Sequence, residues 1–114
     1  MSRSAVDVVQ AQVDAYNRRD LAGFVAHFSD TVVVYRMPSQ TPSLSGKAQL
    51  ADFYATQRFN LPNLHAQIVN RIVLGNKVID HERISGVRDA PFEIVVAYEV
   101  GGAAIDRVWT FAPE

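Results

Sequence analysis

The chain has 114 residues, enough for one core and one domain, and its 48% hydrophobic and 20% charged residues match an ordinary globular protein. With 11 basic and 12 acidic residues the net charge is −1, so no cationic excess is available for a phosphate backbone and no nucleic-acid partner is expected. There is no cysteine, which removes disulfides and thiolate chemistry, and no apolar run reaches the length of a signal core or membrane span, so a cytoplasmic protein without a membrane partner is expected.

Val6, Val9, Val13 and Tyr16 recur at helical spacing, which predicts a first helix over about 4–18, with Ser4 and Asp7 as a weak capping box. Asp20 reads as the N-cap of a short second helix striped by Leu21, Phe24, Val25 and Phe28, ended by Ser29-Asp30-Thr31. The β-branched run 32–37 predicts a strand. A Pro-, Ser- and Thr-rich loop covers 38–46, and Ser45 is placed to cap a third helix with Leu50, Phe53 and Tyr54 inward. Asn60-Leu61-Pro62-Asn63 breaks that helix. Two hairpins follow, about 64–74 with 77–86 around Gly75-Asn76, and about 92–100 with 103–112 around Gly101-Gly102. Helices gathered before a run of antiparallel strands imply an α+β fold, with the helices on one face of a curved sheet.

Two-residue turns fix the registers. In the last hairpin Tyr98 then faces Ile105, Val96 faces Arg107, Ile94 faces Trp109 and Phe92 faces Phe111, and this aromatic face is placed inward. In the first hairpin Ile72 faces Ile79, Asn70 faces His81 and Ile68 faces Arg83, while Arg71 meets Asp80 and Val69 meets Glu82 on the other side. Ile68, Ile72, Leu74 and Ile79 carry more aliphatic bulk, so their face is expected inward. His81, Arg83 and Asn70 come with it, and Arg71–Asp80 becomes an outer ion pair.

The step Tyr16-Asn17-Arg18-Arg19-Asp20-Leu21, Ser45-Gly46 before the third helix, Phe53-Tyr54 within it, and the closing Gly-Gly hairpin with Trp109 and Phe111 resemble the nuclear-transport-factor-two-like superfamily. That group includes SnoaL-like cyclases, ketosteroid isomerases and limonene epoxide hydrolase. The resemblance covers nearly the whole chain and implies a cone, in which a sheet wraps three helices and leaves a pocket at its open end. It also implies a homodimer paired through the outer sheet face. The known catalytic sets do not carry over. Gln12, Met37 and Ile94 stand near the positions of the isomerase tyrosine and two aspartates, and Ser85 and Trp109 replace the two epoxide-hydrolase aspartates, leaving only Arg83. An ungapped match to the isomerases turns Asp80 and Glu82 inward, opposite to the choice made on aliphatic bulk.

His81 is the candidate proton-transfer group, because imidazole titrates near neutral pH, and Arg83 the candidate anion stabiliser. Tyr35, Met37, Tyr54, Asn70, Tyr98 and Trp109 are the candidate pocket residues. The scattered histidines His27, His65 and His81 show no metal-ligand spacing, and neither a metal nor a cofactor is expected. Two functions fit: an acid–base enzyme of isomerase, cyclase, dehydratase or hydrolase type acting on a small hydrophobic molecule, and a non-catalytic ligand-binding or dimerisation module.

Overall fold

The structure, a computed structural model, describes residues 4–113. It is α+β, with three helices packed on a six-stranded sheet. Helix α1 is Ala5–Asn17, α2 is Leu21–Val25 and α3 is Lys47–Gln57; the strands are β1 Phe28–Arg36, β2 Leu44–Ser45, β3 His65–Leu74, β4 Lys77–Ser85, β5 Phe92–Gly101 and β6 Ala104–Phe111. The sheet order is β2-β1-β6-β5-β4-β3. Every pairing is antiparallel except β1 with β6. No helix among the described residues is long and apolar enough to cross a membrane.

The caps read from the sequence form at two of three helices. Ser4 Oγ accepts from the Asp7 amide at 3.2 Å, and Asp20 Oδ1 accepts from the Gly23 amide at 3.0 Å. Helix α3 departs from expectation: its N-cap is Gly46 at φ +88°, and Ser45 instead offers its amide to Gln49 Oε1 at 2.8 Å. Phe28 and Ser29-Asp30-Thr31 also change role, since they open β1 and do not finish α2. The Phe28 ring is still buried, tilted against Phe24 at 4.9 Å.

The Tyr16–Leu21 step anchors the helices to the sheet. Asn17 Oδ1 accepts from the Ala66 amide at 2.7 Å and its Nδ2 donates to the Ala66 carbonyl at 3.0 Å, as a neighbouring strand would. Arg19 takes the left-handed region at φ +54°, which turns the chain toward Asp20. Beneath lies a core built around Val8, Val9, Phe24, Leu50, Val78 and Ile105.

The sheet register shifts at three places, between Phe28 and Val33 of β1 against β6 and once in each hairpin. In the first hairpin the pairs Ile72–Ile79, Arg71–Asp80 and Asn70–His81 form as expected. Val69 is then extra, so Ile68 meets Glu82 and Gln67 meets Arg83. In the last hairpin the turn is Gly102-Ala103 and not the expected Gly101-Gly102, and Asp106 is extra, so Tyr98 pairs with Val108 and Ala97 with Trp109. Tyr98 and Val96 face inward as expected, but Arg107 and Trp109 turn outward, and Val108 takes the inner position.

The face expected inward on β4 is the outer one. Val78, Asp80, Glu82 and Ile84 are 0, 0, 5 and 4% exposed, whereas Ile72, Leu74 and Ile79 are 57, 77 and 37% exposed. Aliphatic bulk failed as a guide because partners exist inside for both carboxylates. The orientation implied by the ungapped isomerase match is the one adopted.

Candidate functional site

The helices and the concave sheet face enclose a cavity of about 340 Å³ that opens at the end of the sheet where β1 and β6 finish and β5 begins. Its walls are mostly apolar, with Phe24, Val34, Leu50, Ile94 and Val108 among them. Its polar groups come from three directions. Helix α1 presents Gln12 and Tyr16 one turn apart, α3 presents Tyr54, and the sheet presents Glu82 from β4 and Tyr98 from β5.

Two hydrogen-bonded sets lie on this inner face, the first at the cavity and the second outside its lining. In the first, Gln12 Nε2 donates to Tyr98 Oη at 3.2 Å, and Tyr98 Oη donates to Glu82 Oε2 at 3.2 Å. Because Tyr98 already accepts from Gln12, its proton points at the carboxyl group. In the second set, just below, Arg71 donates from Nε to Asp80 Oδ1 at 2.6 Å and from Nη2 to Oδ2 at 2.9 Å. Its Nη1 reaches Gln10 Oε1 of α1 at 2.7 Å. The expected Arg71–Asp80 pair therefore forms, but it lies on the inner face, where Asp80 is fully buried.

This division separates the two carboxyl groups. Asp80 is balanced by a guanidinium fork. Glu82 forms no salt bridge among the described residues. Burial and then the charge of Asp80 push its pKa up to about 7, against the pull of the Tyr98 hydrogen bond and of Arg71. Burial, followed by the negative charges of Glu82 and Asp80, lifts Tyr98 well above the usual tyrosine range. Tyr54 is pushed up to about 12, chiefly by burial. The site thus holds a carboxyl group able to take or release a proton near neutrality, beside hydroxyls that stay protonated donors.

The structure brings Met37, Tyr54 and Tyr98 together at the cavity. It leaves His81, Arg83, Asn70, Tyr35 and Trp109 outside its lining. His81 and Arg83 lie on the outer face around Glu93, His81 in a short hydrogen bond and Arg83 at 3.8 Å. Tyr35 and Trp109 stack on each other outside at 6.4 Å and 11°. The β4 alternation inverts the first pair, and the Asp106 bulge turns Trp109 out. Reasoning from the sequence put Glu82 on the outer face and did not place Gln12 or Tyr16 at the cavity. The available signal was the carboxylate pair two residues apart in a strand, with an arginine opposite one member only.

A family model described as a SnoaL-like domain matches residues 9–111. Among solved structures, an uncharacterised cystatin-fold protein from Novosphingobium aromaticivorans is similar at TM-score 0.84 and 23% identity, over 95% of this chain and 97% of that one. A Kribbella flavida protein named as a candidate ketosteroid isomerase is similar at TM-score 0.85 and 18% identity, over 100% and 82%. A computationally designed 17-OHP binder is similar at TM-score 0.85 and 13% identity, over 98% and 94%. No curated protein matches the sequence.

Proposed function

This chain belongs to the SnoaL-like domain family, and from that premise we propose that its cavity takes up a small, mostly apolar molecule with which Glu82 exchanges a proton. The observation that carries this reading is a buried carboxyl group, without a cationic partner among the described residues, facing an apolar cavity beside a tyrosine donor. Such a group works as base when ionised and as acid when protonated, and a pKa near the working pH keeps both forms available. Tyr54, which lines the same cavity, would donate to an oxygen on which charge develops, while the Tyr98 proton stays on the Glu82 carboxyl group. The reaction class is the acid–base one of isomerases, cyclases and dehydratases. The named functions of the Kribbella flavida protein and of the designed binder, on the same fold, agree with a cavity of this use.

The test follows the Glu82 side-chain carboxyl carbon by NMR while hydrophobic ketones are added in D2O. The expected result is a ligand-linked shift of its titration together with exchange of the ketone α-protons, lost in Glu82→Gln. Binding without exchange makes the cavity a ligand site only. A Glu82 signal unmoved by every ketone overturns both uses.

We also propose a homodimer through the outer sheet face. Tyr35, Trp109, Ala97, Ile79 and Ile72 are successive cross-strand partners, so they form one apolar row across five strands. Beside it runs the Lys77–Glu99–Arg107 charged row. An apolar stripe bordered by charges has the composition of a protein interface.

A further inference from the structure

The cavity mouth is cationic. Arg36 ends β1, Arg58 caps α3, and Arg88 stands in the loop between β4 and β5, and all three line the cavity. Among the described lining residues the only carboxyl group is Glu82. Each guanidinium is placed over an aromatic ring: Arg36 and Arg58 lie 5.7 and 5.1 Å from the Phe53 centroid, and Arg88 lies 4.3 Å from that of Phe92. None of the three forms a salt bridge among the described residues. The chain as a whole carries a net charge of −1, so this positive rim is local and does not reflect a basic protein.

We infer that the ligand is an amphiphilic anion, with its apolar body in the cavity and a carboxylate or comparable group held at the mouth by Arg36, Arg58 and Arg88. Unneutralised guanidiniums at the rim of an apolar cavity attract an anion and can hold it by paired hydrogen bonds. The aromatic rings beneath limit their freedom, so less order is lost on binding. The same charges fix which end goes in first. A second anion beside Glu82 and Asp80 would be repelled, so the inner end is neutral and polar, suited to Tyr98 and Glu82. This inference rests on the small-molecule reading above and narrows its substrate class.

The experiment compares 2-naphthoate, methyl 2-naphthoate and 2-naphthylmethanol by calorimetry at low and high salt. The carboxylate is expected to bind about tenfold tighter than the other two, the gain of one charge-assisted contact set, and to lose that advantage as salt rises. The double variant Arg58→Gln/Arg88→Gln should remove the advantage and leave the ester and alcohol unchanged. Arg107→Gln, on the outer face beside Glu99, should keep it. Equal affinity of all three compounds in the unaltered protein overturns the anionic ligand but leaves the cavity reading standing. No saturable binding of any of them, with an unmoved Glu82 signal, overturns both.

Discussion

Tyr98 and Glu82 share one hydrogen bond at 3.2 Å, directed from the phenol to the carboxyl group. Among the described residues no cation forms a salt bridge with that carboxyl group, while two residues earlier Asp80 receives the full fork of Arg71. One strand therefore presents two acids in opposite electrostatic states. That difference sets how each acid responds to the loss of a neighbour.

Glu82 should titrate with a midpoint near 7 in the folded protein, as seen by carboxyl-carbon NMR. Tyr98→Phe removes a bond that favours the ionised form, so the midpoint rises further. Asp80→Asn removes a repelling charge, so it falls. The linked stability has a definite sign. Between the usual value of 4.5 and about 7 the folded chain keeps a proton that the unfolded chain has released, so stability falls as pH rises through that window. Relative to Glu82→Gln, the unaltered protein should lose roughly 3 kcal/mol between pH 4 and pH 8, since each tenfold change in proton affinity is worth about 1.4 kcal/mol. Urea unfolding of both proteins at each pH measures it, and parallel pH curves would sink the assignment.

Arg71→Ala leaves Asp80 buried without its counter-charge and should cost about 3–5 kcal/mol. Replacing both, Arg71→Met with Asp80→Leu, should recover most of that loss, because the desolvation cost of the pair disappears with it. A single variant within about 1 kcal/mol of the parent in denaturant unfolding contradicts the buried pair.

These side chains show what the sequence held and what it did not. The Gly75-Asn76 turn, the Arg71–Asp80 pairing and the Ser4 and Asp20 caps were legible, because each depends on residues close in sequence. The inner face of β4 was not, because the groups that make burial of Asp80 and Glu82 tolerable come from elsewhere. Gln10 and Gln12 arrive from α1 and Tyr98 from β5. The extra residues Val69 and Asp106 were equally silent, and each moves every later cross-strand pair. Tyr98 and Tyr54 were found because alternation and helical spacing survive on β5 and α3, and Trp109 was misplaced because it follows a bulge.

Gly86 has φ +85°, and a Cβ there would stand 2.1 Å from the Asn63 carbonyl oxygen. Gly86→Ala should therefore destabilise by more than about 1 kcal/mol, through both left-handed strain and backbone contact. Gly75, also at positive φ but with nothing within 4 Å, should lose less on the same change. Thermal unfolding of the two variants gives the ranking, and the reverse order would show that the Asn63 approach is not tight.

Ile79→Lys with Ile72→Lys should convert a sedimenting dimer to monomer while the near-ultraviolet signal of the fold is kept. Both positions lie on the apolar row and are already 37 and 57% exposed, so the charges have room in the single chain. A parent protein that sediments as monomer at micromolar concentration removes the proposal.

The parallel pairing of β1 with β6 joins the early part of the chain to its late part, with Phe28 beside Ile105 and Tyr35 beside Trp109. Phe28, Val32 and Val34 thus belong to a layer whose other half is made some seventy residues later. During synthesis α1, α2 and β1 emerge from the ribosome long before β6 exists, and an unpaired β-branched edge is a template for association with other chains. The long sequence separation also slows closure of the sheet. The inner layer that Phe28, Val32 and Val34 begin is therefore closed only once β6 has been translated.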